Sequence, residues 1–166
     1  MTSLLFFLSF GCALGAGLMA GAFFAFSTFV MKALQRLPAA HGIAAMQSIN
    51  VVVLNPWFLS VFVGTAVASL VLIISEFFVH SLPGHHFASI GAASYLLGTF
   101  AVTAVCNVPR NEALAKLDPA SPEAAEIWSD YLAKWTAWNH VRTIAALIAC
   151  ALMIVATYDT FPREIG

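Results

Sequence analysis

Four apolar runs divide the chain. Leu4 to Met31 passes without a charge, Trp57 to Phe78 carries only Glu76 near its far end, and Phe87 to Cys106 carries none. The fourth, over residues 136–158, admits His140 and Arg142 close to its start. A helix needs about 20 apolar residues to cross the hydrocarbon core of a bilayer, and each run supplies them. The pattern predicts an all-α fold: a four-transmembrane-helix bundle over spans 4–31, 57–78, 87–106 and 136–158, in a single integral membrane domain of residues 1–166. The start, Met1-Thr2-Ser3-Leu4, has no lysine or arginine ahead of its apolar run, so that run reads as a permanent span. Gly11-x-x-x-Gly15 and Gly17-x-x-x-Gly21 give it a surface for close helix approach, within one bundle or between copies in a homo-oligomer.

The connections are patterned too. Pro38 interrupts the first, after which Ile43, Met46, Gln47 and Asn50 fall on one helical stripe that begins apolar and ends in two amides. Gln47 and Asn50 suit either a polar site or the capping of neighbouring backbone. Asn55-Pro56 marks a turn before the second span. In the third connection, Ser121 is placed to cap a helix with Pro122 at its first position. There Ala124, Ile127, Trp128 and Tyr131 oppose Glu123, Glu126 and Asp130. Short amphipathic helices are therefore predicted in the first and third connections, the latter running into the fourth span. Thr103, Asn107 and Asn111 recur every four residues at the end of the third span, with Pro109 among them. The proline predicts a kink or an end to that helix.

Composition strengthens the assignment: 61% of the 166 residues are hydrophobic and 9% charged, against roughly 25% charged in soluble domains. The mean hydropathy is +0.89. A net charge of −1 offers nothing to nucleic acid, and the partners implied are the lipid bilayer and lipophilic molecules within it. Cys12, Cys106 and Cys150, odd in number and each inside an apolar run, read as small buried hydrophobes. His80, His85 and His86 surround a Pro83-Gly84 turn without a cysteine or second carboxylate, and read as a solvated loop. Threading four spans puts Lys32, Arg36, Arg110, Lys116 and Lys134 on the side of the two long connections, against Arg163 on the other. The positive-inside rule then predicts a multi-pass protein of the cell membrane with those connections in the cytoplasm.

The stretch Trp135-Thr-Ala-Trp-Asn-His-Val-Arg-Thr143 sets ionisable side chains where hydrocarbon should begin. Trp135, Asn139 and Arg142 share a helix face, with His140 about 100° round from Asn139. One reading is an interfacial anchor, with tryptophans among headgroups and Arg142 reaching outward. The other is a site, because ionisable groups at that depth face polar cavities or partners. Ser27, Gln47, Asn50, Thr103, Asn107 and Asn111 thread to the same membrane face. Together with Phe23, Phe24, Phe26, Trp135 and Trp138, they describe a pocket for a flat, mostly apolar ligand bearing a few oxygens. A transition metal would want two or three converging histidines or carboxylates, and only His140 is well placed. No nucleophile stands beside a base, and neither a phosphate loop nor a dinucleotide fingerprint is present. What remains is acid–base chemistry by His140, with Arg142 and the asparagines holding negative charge.

In this respect the chain resembles the anthrone oxygenase-like membrane proteins. The resemblance rests on Gly21-Ala-Phe-Phe-Ala-Phe-Ser27, Met46-Gln-Ser-Ile-Asn50, Asn107-Val-Pro-Arg-Asn111 and Trp135–Thr143, in that order along nearly the whole sequence. It implies an oxidoreductase that turns a polyketide anthrone or another lipophilic aromatic into a quinone with dioxygen, using no metal, flavin or other cofactor. It supplies no catalytic residues, so roles follow from the chemistry. His140 is the expected base, with Arg142, Asn139 and Asn107 holding the oxyanion. Asn50, Gln47, Asn111, Trp135, Trp138, Phe24 and Ser27 are expected to bind the substrate. Two alternatives compete: a non-catalytic membrane protein whose polar cluster is structural, and a binder of quinones or other aromatics.

Overall fold

The structure, a computed structural model, describes residues 2–76 and 85–160, and among them every regular element is helical. α1 (Thr2–Ala25) passes through a π-helical turn, Phe26–Val30, into α2 (Met31–Gln35). α3 (Ala39–Val52) forms the first connection and α4 (Pro56–Glu76) the second long element. α5 (His85–Ser94) continues through two π-helical segments, Tyr95–Ala101 and Thr103–Asn107, into α6 (Val108–Ala115). α7 (Ala124–Thr160) is one helix of 37 residues. Four stretches are long and apolar enough to cross a membrane: Leu4–Gln35, Pro56–Ser75, His86–Ala115 and Ala124–Asp159.

The third of these outruns its predicted end at Cys106, and Pro109 does not break it. The π-helical turn ahead of the proline explains why. Val108 donates its N–H back to the Thr103 carbonyl, so the wider turn is closed before the residue that cannot donate. Pro109 then occupies the first turn of α6, where a missing N–H is cheapest, and the Arg110 guanidinium donates to the Cys106 carbonyl. Ser121 also departs from expectation. Residues 121–123 form a turn, α7 begins at Ala124, and the Ser121 hydroxyl caps nothing. The predicted turn at Pro83-Gly84, with His80, lies outside the described residues; His86 is exposed at the start of α5.

Each long element packs beside its neighbours in the chain, and the last closes on the first. α1 lies against α4 and α7, and α5 against α4 and α7. Short side chains make this possible. A Cβ on Gly15 would collide with Thr65 of α4, and one on Gly98 with the Cβ of Ala145 of α7. Gly17 faces Cys150, while Gly11 and Gly21 meet nothing, so each glycine pair in α1 spends one member on packing inside the bundle. Leu14, Leu18, Phe29, Val67, Leu97, Val105, Ile144 and Ile154 point outward and are exposed. A surface that apolar suits hydrocarbon rather than water.

One end of the bundle carries a cap. α3 lies across it, and Met31, Leu34, Ile43, Met46, Leu114, Trp128, Tyr131 and Trp135 form its core. Gly42 lets α3 press onto the Trp128 ring, where a Cβ would stand 2.9 Å from a ring carbon. Asn55 opens α4 by accepting the Phe58 N–H at 3.0 Å, as the turn signal predicted.

Candidate functional site

The buried positions of α7 recur every three or four residues: Ala124, Trp128, Tyr131, Trp135, Asn139, Arg142, Ala146, Ala149, Met153 and Ala156. One stripe therefore runs from aromatic, through polar, to small. The polar middle is the candidate site, and all three π-helical segments border it. They contribute Ser27, Thr99, and Thr103 with Asn107. Such turns shift the side chains that follow them, which is why they gather at functional sites.

Arg142 is the centre, 4% exposed. Its Nη2 donates to Asn139 Oδ1 at 2.7 Å and its Nη1 to Thr103 Oγ1 at 3.2 Å. The guanidinium carbon lies 4.3 Å from the Phe23 ring centroid and 5.0 Å from that of Trp135. Stacking on two rings stabilises a buried cation by about 2 kcal/mol at each desolvated face. No carboxylate comes within ion-pair distance of it among the described residues.

Asn139, fully buried, spans two helices. Its Nδ2 donates to the Phe23 carbonyl at 2.8 Å and to Ser27 Oγ at 2.7 Å, while its Oδ1 receives Arg142. Thr143 Oγ1 lies 3.0 Å from Ser27 Oγ and donates to the Asn139 carbonyl at 2.8 Å. Thr99 donates to the Arg142 carbonyl at 3.3 Å, tying the third span to α7. This half of the cluster is saturated.

The other half is not. Asn107 donates to the Trp135 carbonyl at 3.2 Å, yet its buried Oδ1 has no partner. Arg142 Nε and Asn50 Nδ2 are also buried and unpartnered. Nearby, Asn111 Oδ1 receives both the Tyr131 hydroxyl at 2.9 Å and Trp135 Nε1 at 2.8 Å. Leaving such groups without partners costs about 1–3 kcal/mol each. Asn107 Oδ1, Arg142 Nε and Asn50 Nδ2 are therefore the atoms that the candidate site leaves open.

The predicted residues divide accordingly. Arg142, Asn139, Asn107, Ser27 and Trp135 converge, with Asn50 of α3 and Asn111 of α6 at the edge. Gln47 does not join them. Its Nε2 donates to the carbonyls of Leu114 and Leu117, at 2.8 and 3.0 Å, and closes the end of α6. Phe24 and Trp138 turn outward, 54% and 37% exposed, so the rings packed at the cluster are Phe23, Phe26 and Trp135 instead. His140 is exposed as well, and the cluster contains no imidazole among the described residues. One helical step of about 100° separates it from Asn139, and burial of the 135/139/142 face sends it outward. Sequence reasoning passed over Thr99 and gave Tyr131 only an apolar role. Both follow from the buried stripes once the partner helices are known.

An all-helical bundle compatible with a multi-pass membrane protein, holding beneath a helical cap a guanidinium with no carboxylate partner among the described residues, is the class defined so far. The family model for anthrone oxygenase matches residues 57–152, more than half of the sequence. The chain belongs to that family. The match takes in Asn107, Asn111 and the Trp135–Thr143 stretch, whereas Ser27 and Asn50 lie outside it. No curated protein and no solved structure matches the chain.

Proposed function

We propose that this protein oxidises a lipophilic aromatic ketone of the anthrone type to a quinone with dioxygen, and that the cluster around Arg142 holds the ketone oxygen. The observation that carries the reading is the guanidinium itself: buried, unpaired by any carboxylate among the described residues, and with Nε unused. Loss of a methylene proton from such a ketone places negative charge on its oxygen. A preorganised cation and amide donors in a site closed to water stabilise that charge, and removal of one such donor typically costs about 10²–10³ in rate. Arg142 is the principal donor. Asn139 fixes its orientation, Asn107 Oδ1 accepts a ligand hydroxyl, and Phe23, Phe26 and Trp135 flank the rings. The bilayer supplies the substrate, which partitions there with its apolar rings.

The test is oxygen uptake and quinone formation by membranes containing the protein, supplied with a simple anthrone. Wild type should exceed the spontaneous rate, and Arg142→Met should not. Loss of turnover in His140→Ala but not in Arg142→Met would move the reaction to the other face of α7.

A structural reading is favoured by Asn139, Ser27 and Thr143, whose hydrogen bonds all close within the protein. It predicts no turnover by wild type and a fall in stability for every variant of the cluster. We further propose that the capped end faces the cytoplasm, on the charge asymmetry of the connections. Thiol labelling of a cysteine placed at Lys116 from one side of sealed membranes tests it.

A further inference from the structure

The capped end has a charged side and an uncharged one. Lys32 lies on α2, Glu112 on α6, and Glu126, Asp130 and Lys134 on α7, the last two paired at 2.8 Å with both side chains more than half exposed. That side meets water. Between Arg36 and Glu76, by contrast, the only ionisable side chain is His41. Crossing the bilayer does not account for so long a gap. α4 alone has 21 residues, about 31 Å of helix, against a hydrocarbon core of about 30 Å. α3 lacks charge for another reason, and packing inside the protein supplies only half of it. Gly42, Ile43 and Met46 are buried in the cap, whereas Ala44, Ser48, Val51 and Val52 are exposed. A helix that is apolar on both faces is covered on both.

The exposed apolar residues gather at one end of α3. Val51, Val52, Leu54 and Trp57 are each at least 64% exposed, and they run into Val63, Val67, Leu70 and Ile74, the outward residues of the second span, with no charge between. The patch is thus continuous with a lipid-facing surface. α3 also slopes towards that surface. At its start Gly42 presses on Trp128, about two turns of α7 beyond the exposed Lys134. At its end the chain enters α4 within a few residues. We propose that the second half of α3 and the turn into α4, residues 48–57, lie inside the bilayer at the boundary of headgroups and acyl chains, and that lipid is the partner of this surface. Trp57 is the residue type that settles at that depth, with its ring against hydrocarbon and its N–H among headgroups. The first connection then leaves lipid after α2, meets water near His41, and returns to lipid before the second span begins. Asn50 stands at the edge of the candidate site, so the bilayer borders the site on that side. The placement does not depend on what the site binds.

The experiment puts one nitroxide label at a time on the full chain in phosphatidylcholine vesicles, at His41→Cys, Val52→Cys or Glu126→Cys, with Cys12, Cys106 and Cys150 changed to Ala. Collisions with dissolved oxygen, which concentrates in hydrocarbon, are compared with collisions with a nickel chelate present in the water on both sides. The label at Val52 should favour oxygen, and the labels at His41 and Glu126 the chelate. A label at Val52 that favours the chelate puts the corner in water and overturns the proposal. One shielded from both reagents and broadened by a second label shows another copy of the chain covering the surface, and overturns it as well. The native tryptophans give a check without labels or new cysteines. Lipid brominated near the top of its acyl chains should quench wild-type fluorescence more than that of Trp57→Phe, and equal quenching overturns the placement of the turn.

Discussion

The two halves of α7 bury the same spacing of positions and do opposite things with it. From Ala145 to Ala156 the buried residues are Ala145, Ala146, Ala149, Met153 and Ala156, pressed onto α1 and α5. From Trp128 to Thr143 they are three aromatics, an asparagine, an arginine and a threonine. The small half brings helices together by shape, leaving little room for chemistry. The large half holds them apart, so its polar atoms must find partners across the gap, and some find none among the described residues. Close packing therefore occupies one length of the helix and the candidate site the other. Within the candidate site Asn139 has its side chain used up by partners in the protein, whereas Arg142 keeps Nε open, although they share a hydrogen bond.

Substitutions can break that division. The largest effect is expected from Arg142→Met, which should lower quinone formation by about 10²–10³. Its stability should fall by only about 1 kcal/mol, because relief from burying a charge offsets the donor that Asn139 Oδ1 loses. Activity and detergent unfolding measured on the same preparation check both. Asn139→Ala should do the reverse of what a purely catalytic residue would, unfolding the protein more easily by about 3 kcal/mol, since it strips an acceptor from a buried charge as well as two interhelical bonds. Unfolding curves in mixed micelles read it. Gly98→Ala drives a methyl group into Ala145 and should cost about 2 kcal/mol, while leaving KM alone. Gln47→Ala uncovers two carbonyls at the end of α6 and should cost about 1 kcal/mol, with faster hydrogen exchange confined to α6 and the turn after it. Equal losses of stability for Arg142→Met and Asn139→Ala would erase the distinction and favour the structural reading.

Much of this was legible in the chain. Runs of apolar residues report how the backbone must hydrogen-bond in hydrocarbon, and that requirement is local, so four long helices followed directly. The helices of the connections followed from periodicity, and Arg142, Asn139 and Asn107 from the oddity of polar groups at that depth. The boundaries that failed, at Pro109 and Ser121, failed because a π-helical turn and a non-helical turn depend on neighbours that propensity does not see. His140, Trp138 and Phe24 were drawn into the site by adjacency in sequence, although helical geometry puts neighbouring residues on different faces.

The sequence by itself determined the class of fold, the family and the end of the bundle where polar groups collect, since each is encoded in composition or in short ordered blocks. Only the tertiary structure decided which of those groups meet. Whether Gln47 serves a site or a helix end depends on where the carbonyls of Leu114 and Leu117 lie, some 70 residues away in sequence. Whether Arg142 is paired, and whether Tyr131 is only packing, depends on α1, α3 and the π-helical turns of the third span closing around them. Hydrogen bonds are short-ranged and directional, so their partners are fixed by packing rather than by order along the chain.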